Sequence, residues 1–162
     1  MKTEKANFSK KELALVLKQY DIGRIEGLKY LRLGTAQAPK VVIASSNGKY
    51  ILKRRQKGKD DSYHVAYAHD IHLHLEQHGF AVPRLIATKE DETIVNVDGK
   101  VYELFEFVQG GRYDGSIEST IDAGRNLALF NKYLSDFECP IDPRKLTYHD
   151  SSAVRRHLKA IS

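Results

Sequence analysis

Cysteine and tryptophan are what this sequence has least of: one cysteine, Cys139, and no Trp among 162 residues. A single cysteine excludes an internal disulfide framework and a multi-cysteine zinc site. A reducing, cytoplasmic setting is the expected location. Long apolar runs are missing too, for nothing approaches the roughly 18–20 consecutive apolar residues of a bilayer-spanning helix. The opening MKTEKANFSKKE is polar, mixed in charge and has no apolar stretch behind it, so it does not read as a secretory signal. There is no low-complexity tract and no internal repeat. What is present, 41% apolar residues with nine Tyr and six Phe, is too much for a disordered chain and enough for one domain with a core.

Twenty-six Lys and Arg oppose 21 Asp and Glu, giving a formal charge of +5 and a pI near 9.2. That balance suits an anionic partner without naming one. The basic residues are scattered except for Lys53, Arg54, Arg55, Lys57 and Lys59. This run lacks the interleaved aromatics of a nucleic-acid surface, so neither nucleic acid nor a membrane is an expected partner.

Ser9 and Glu12 form an S-x-x-E capping pattern ahead of Leu13, Val16, Leu17 and Tyr20, which predicts a helix over 9–20. Strands follow at about 24–33, 40–44 and 49–55. Asn47-Gly48, between VVIAS and KYIL, predicts a hairpin closed by a type I′ turn. The loop KGKDDS leads to a helix over 62–77 that ends at His78-Gly79. A short strand at 85–88 and a second hairpin, 93–97 and 100–108 around Asp98-Gly99, come next. Helices are expected at 117–135 and, after an irregular Pro-containing link, at 151–161. The expected class is α+β: an antiparallel five-stranded sheet with flanking helices.

Four segments in this order resemble the N-terminal lobe of the protein-kinase-like small-molecule kinases, the aminoglycoside phosphotransferases and choline kinases. They are GKYILKR, HLHLEQHGFAVPRLIAT, GKVYELFEFVQGGR and AGRNLALFNKYL. The resemblance implies a nucleotide-binding lobe over 1–108, then a hinge and the start of a helical second lobe over 109–162. It implies ATP and Mg²⁺ as cofactors, the Mg²⁺ held mainly by the second lobe, and a small hydroxyl-bearing acceptor. Lys53 would reach the α/β-phosphates, because a cation on a rigid strand orients and offsets them. Read without the resemblance, Lys53 is first of all a surface lysine in a basic run. Ile51 would lie against the adenine. The 34–39 turn, with Gly34 and Thr35, would cover the phosphates, although it has one Gly and Pro39 removes a donor. It is no G-x-G-x-x-G, and a plain strand connection accounts for it as well. The Glu106 carbonyl and the Val108 N–H would meet adenine at the hinge, or else the strand simply ends at Gly110.

The sequence also departs from the family. The helix acid that pairs with the strand lysine is missing at the expected spacing, which falls on Ala68; Asp70 is the nearest carboxylate. The H-x-D catalytic loop and the following metal-binding Asn and Asp are absent, and His149-Asp150 and Asp136-Phe137-Glu138 do not replace them. No catalytic residue is therefore assigned. The expected function is the ATP-binding part of a small-molecule kinase, inactive alone and cut from a longer enzyme. The alternative is a non-catalytic binding module that keeps the lobe. His64, His69, His72, His74 and His78 crowd one helix, with Asp70, His74 and His78 on a shared face, yet no H-E-x-x-H is present. A solvated or partly packed helix is the expected reading there.

Overall fold

Eight elements follow one another in the computed structural model, which describes residues 7–31 and 37–139. Helix α1 (Lys10–Leu17) starts at the expected capping box: Ser9 Oγ accepts from the Glu12 N–H at 3.1 Å, and the Ser9 N–H donates to Glu12 Oε2 at 3.2 Å. It is shorter than 9–20, because Gln19 and Tyr20 donate to Val16 and Leu17 in tighter i→i−3 turns. Strands β1 (Ile25–Leu31), β2 (Lys40–Ser45), β3 (Gly48–Arg54), β4 (Val95–Val97) and β5 (Lys100–Glu106) form one antiparallel sheet in the order β1-β2-β3-β5-β4.

The sheet has two unlike faces. Val41 opposes Leu52, Ile43 opposes Tyr50, and Leu52 opposes Leu104. These side chains join Phe8, Leu13, Val16 and Leu17 in the core beneath α1. Glu12 ties helix to sheet, accepting the Tyr102 hydroxyl at 2.7 Å and Arg54 Nη1 at 2.6 Å. The alternate residues Val42, Ile51, Lys53, Glu103 and Phe105 belong to the opposite face.

Helix α2 (Ser62–Gln77) occupies its expected span. Asp61 caps it by accepting from the Tyr63 and His64 N–H groups. Gly79, at φ +74°, closes it in a Schellman motif, with Phe80 donating to Leu75 and Gly79 to Glu76, both at 2.9 Å. Helix α3 (Ile117–Tyr133) is capped by Ser116 and buries none of its residues fully.

Two further expectations shift. In the first hairpin Ser45 opposes Gly48, so the loop residues are Ser46 and Asn47, and Asn47 does not have positive φ. Ser45 Oγ holds this turn, accepting from the Asn47 N–H and donating to the Gly48 carbonyl. The type I′ geometry belongs to the second hairpin, where Asp98 (φ 52°) and Gly99 (φ 68°) lie between paired Val97 and Lys100. The strand expected at 85–88 is a single bridge, Leu85 to Phe105, flanked by bonds from Ile86 N–H to the Leu104 carbonyl and from Glu106 N–H to the Arg84 carbonyl. The helix expected at 151–161 lies outside the described residues. No described helix is long and apolar enough to cross a membrane.

Candidate functional site

The strand alternation splits the basic run 53–59. Arg54 points to the α1 side and pairs with Glu12, whereas Lys53 and Arg55 turn to the other face and converge on Glu103. Arg54, Arg55 and Lys57 nevertheless line one concavity with Asp60 and Lys100 beyond the end of β3. Lys53 and Glu103 are register partners on β3 and β5, and Lys53 Nζ lies 3.1 Å from Glu103 Oε2.

Glu103 is fully buried, at 0% exposure, between Tyr102 and Leu104 in the middle of β5. A buried carboxylate persists only when its charge is met by partners. Arg55 Nε donates to Oε1 at 2.9 Å, with Nη2 closing a second contact, and His69 Nε2–H donates to the same oxygen at 2.8 Å. The other ring nitrogen of His69 meets Thr93 Oγ1 at 2.8 Å. Oε2 makes no hydrogen bond among the described residues and meets the Lys53 ammonium as an ion pair alone. Burial by itself would raise this carboxyl, but the bonds from His69 and Arg55 and the charges of Lys53 and Arg55 hold it at about 2. Two cations against one carboxylate leave positive charge in excess on this face.

Toward the other end of the same face, a groove of about 600 Å³ opens between β1, β2 and the segment after β5, lined by Leu28, Val42, Ala44, Phe107 and Gly110 among others. Ile51 sits between the groove and Lys53, opposite Val42 and Phe105. The Phe107 N–H is spent on the Lys49 carbonyl at 3.0 Å, and that of Glu106 on the Arg84 carbonyl at 2.8 Å. The Val108 N–H has no partner among the described residues, and Val108 is 60% exposed.

Of the residues singled out by sequence, Lys53 and Ile51 share one face, Glu106 ends β5, and Val108 follows it. Gly34 and Thr35 lie outside the described residues. Asp70 stands apart from Lys53 and accepts from Cys139 Sγ at 3.1 Å, so the acid beside the lysine is Glu103 rather than Asp70. Sequence reading missed Glu103 and His69. The available signal was a lone carboxylate inside the apolar stretch Val101-Tyr102-Glu103-Leu104-Phe105.

Of the other histidines in and just after α2, His72 and His74 are half-buried, whereas His64 and His78 are exposed. His72 donates to the Pro83 carbonyl, His74 to that of Tyr133, and His78 to that of His74. Asp136, not Asp70, approaches His74 and His78, the ligand atoms lying within 4.8 Å of one another. One ring nitrogen of each of these histidines is already committed to a carbonyl.

Residues 29–160 match the phosphotransferase enzyme family (APH). No curated protein sequence matches the chain. Among solved structures, a microcompartment-associated aminopropanol kinase superposes with a TM-score of 0.69 at 17% identity, over 86% of this chain and 46% of its own. The amicoumacin kinase hAmiN, in complex with AMP-PNP, Ca²⁺ and Ami, superposes at 0.72 and 14% identity, over 91% of this chain and 46% of its own. An aminoglycoside phosphotransferase from Alicyclobacillus acidocaldarius superposes at 0.63 and 19% identity, over 82% and 37%. The chain thus spans less than half the length of these relatives. Its antiparallel five-stranded sheet with flanking helices is the protein-kinase-like fold they share. With most of its length inside the family match, this chain belongs to the phosphotransferase enzyme family.

Proposed function

We propose that this chain is the ATP-binding part of a small-molecule kinase, with residues 1–108 as the nucleotide lobe and 109–162 as the hinge and the start of a helical lobe. The observation that carries the reading is Lys53, fixed on β3 by the buried Glu103, on the same sheet face as a groove that ends at the hinge segment. A strand-borne ammonium with excess positive charge beside it suits a polyphosphate. The free Val108 N–H, two residues beyond the Glu106 carbonyl, offers a donor and an acceptor to a base edge, and Ile51 supplies an apolar surface near it. When bound, ATP supplies the transferable phosphoryl group, and the chain's own residues bind and orient it.

Mg²⁺ fits this part of the molecule poorly. Glu103, the buried carboxylate of this face, is already paired with Lys53, Arg55 and His69, so the ion belongs to the phosphates and to residues of the catalytic lobe. The acceptor, a hydroxyl compound in this reading, would be chosen there too.

A thermal-shift titration with Mg-ATP tests the site. A ligand at a hundredfold excess over its Kd stabilises the native state by about 2.7 kcal/mol, a rise of roughly 5–10 °C in Tm for a chain of this size. The wild type is expected to show such a rise and Lys53→Ala, binding about tenfold more weakly, to lose about half of it. No rise in the wild type, or an equal rise in both, sinks the proposal.

A further inference from the structure

We propose that Glu103 is the positioning residue for Lys53, so that the lysine is aimed by its neighbouring strand rather than by an acid on helix α2. The inference rests on the nucleotide-lobe reading above and adds who holds the lysine and how.

The two oxygens of Glu103 do different work. Oε1 is anchored by Arg55 from the end of β3 and by His69 from α2, and His69 is itself braced by Thr93. Anchoring one oxygen from two directions fixes the carboxylate plane. Oε2, buried and without a hydrogen bond, is left for the Lys53 ammonium 3.1 Å away. Both backbones of the pair belong to adjacent, register-paired strands near the middle of the sheet, so neither can shift without breaking the β3–β5 ladder. Lys53 retains one third of its side-chain exposure, 34%, and its ammonium has more donors than the one Glu103 oxygen beside it can take.

Helix α2 carries no acid toward Lys53. Its nearest carboxylate, Asp70, is turned to Cys139, and it reaches the pair through His69 alone. Where a kinase lysine is held by a helix carboxylate, displacing the helix breaks the pair, and helix position then controls activity. Here the pair lies within the sheet, and displacing α2 removes only the brace behind Oε1. The lysine's aim is thereby uncoupled from the helix.

Isothermal titration of Mg-ATP into the chain tests this with the variants Lys53→Ala, Glu103→Gln, Glu103→Asp and Asp70→Asn, each first checked for folding by circular dichroism. Glu103→Gln is expected to weaken binding about tenfold, as Lys53→Ala does, and to add nothing in the Lys53→Ala background. Glu103→Asp keeps the buried charge and thus the fold, but withdraws the carboxylate by one methylene; it is expected to weaken binding measurably. Asp70→Asn is expected to bind within twofold of wild type. A merely structural Glu103 would lower stability without this non-additivity in affinity. Wild-type binding lost in Lys53→Ala but kept in both Glu103 variants overturns the inference and leaves the functional reading intact. So does an Asp70→Asn variant as weak as Lys53→Ala. Affinity unchanged by Lys53→Ala overturns the functional reading, and the inference with it.

Discussion

Glu103 is held charged at a place without water, and the pH dependence of stability follows from that. Its carboxyl is pushed down from an ordinary 4.5 to about 2 in the folded chain. A depressed folded value means that the unfolded chain binds the proton first on acidification. The stabilisation is therefore complete above pH 4.5 and is lost as pH falls through about 2; the shift corresponds to on the order of 3 kcal/mol. Carbon-13 NMR of the glutamate carboxyls is expected to find one group, assignable by its loss in Glu103→Gln, with its midpoint near 2 while the exposed glutamates titrate near 4.5. A midpoint for Glu103 at or above 4.5 would show that the Lys53, Arg55 and His69 contacts do not form in solution. This residue was only half legible in the sequence. A lone carboxylate inside an apolar stretch announces a buried, paired charge, but its Arg55 partner lies 48 positions away. Its pairing follows from β5 entering the sheet beside β3, an adjacency that no local pattern encodes.

At the scale of elements, caps were readable and turn register was not. The capping box of α1 and the His78-Gly79 end of α2 are decided within a few residues, so sequence and structure agree there. Asn47-Gly48 and Asp98-Gly99 look alike in sequence, yet only the second is a type I′ loop. The first hairpin also answers to a distant segment: Arg24 and Ser46 exchange two hydrogen bonds, and Gly23 is packed under the loop. A Cβ at Gly23, where φ is +74°, would stand 2.3 Å from Ser46 Oγ and 2.6 Å from Asn47 Oδ1. At Gly99, φ is +68° and nothing lies within 4 Å. Gly99→Ala is thus expected to cost about 1 kcal/mol, the left-handed backbone penalty alone. Gly23→Ala, which adds the collision, should cost roughly 3 kcal/mol or more. Urea unfolding of the two variants compares them directly; equal costs would mean that the β1 entry does not rest on the hairpin.

At the scale of the whole molecule, stability is unevenly distributed. The sheet and α1 enclose one continuous core, with Val16, Val41, Ile43, Leu52 and Leu104 wholly shielded from solvent. Helix α3 buries no residue fully and leaves Ile117, Ile121 and Leu127 at 74%, 56% and 62% exposure. Its contacts gather at its last turn, where Phe130 and Tyr133 meet Phe80, and the Tyr133 carbonyl takes the His74 N–H. Local opening of an element depends on the apolar contacts that must break, so the first turns of α3 can open while the sheet stays closed. Native-state hydrogen exchange should therefore find the amides of β2, β3 and β5 exchanging only through global unfolding. The amides of residues 121–127 should exchange through far cheaper local openings, insensitive to low denaturant. The same asymmetry predicts that Leu52→Ala costs roughly 2–5 kcal/mol, as for a fully buried leucine. Ile121→Ser, at an exposed helical site, should stay near 0.5 kcal/mol. Protection of residues 121–127 equal to that of β3 would show that this face is covered in the isolated chain. The sheet would then no longer be the sole seat of its stability.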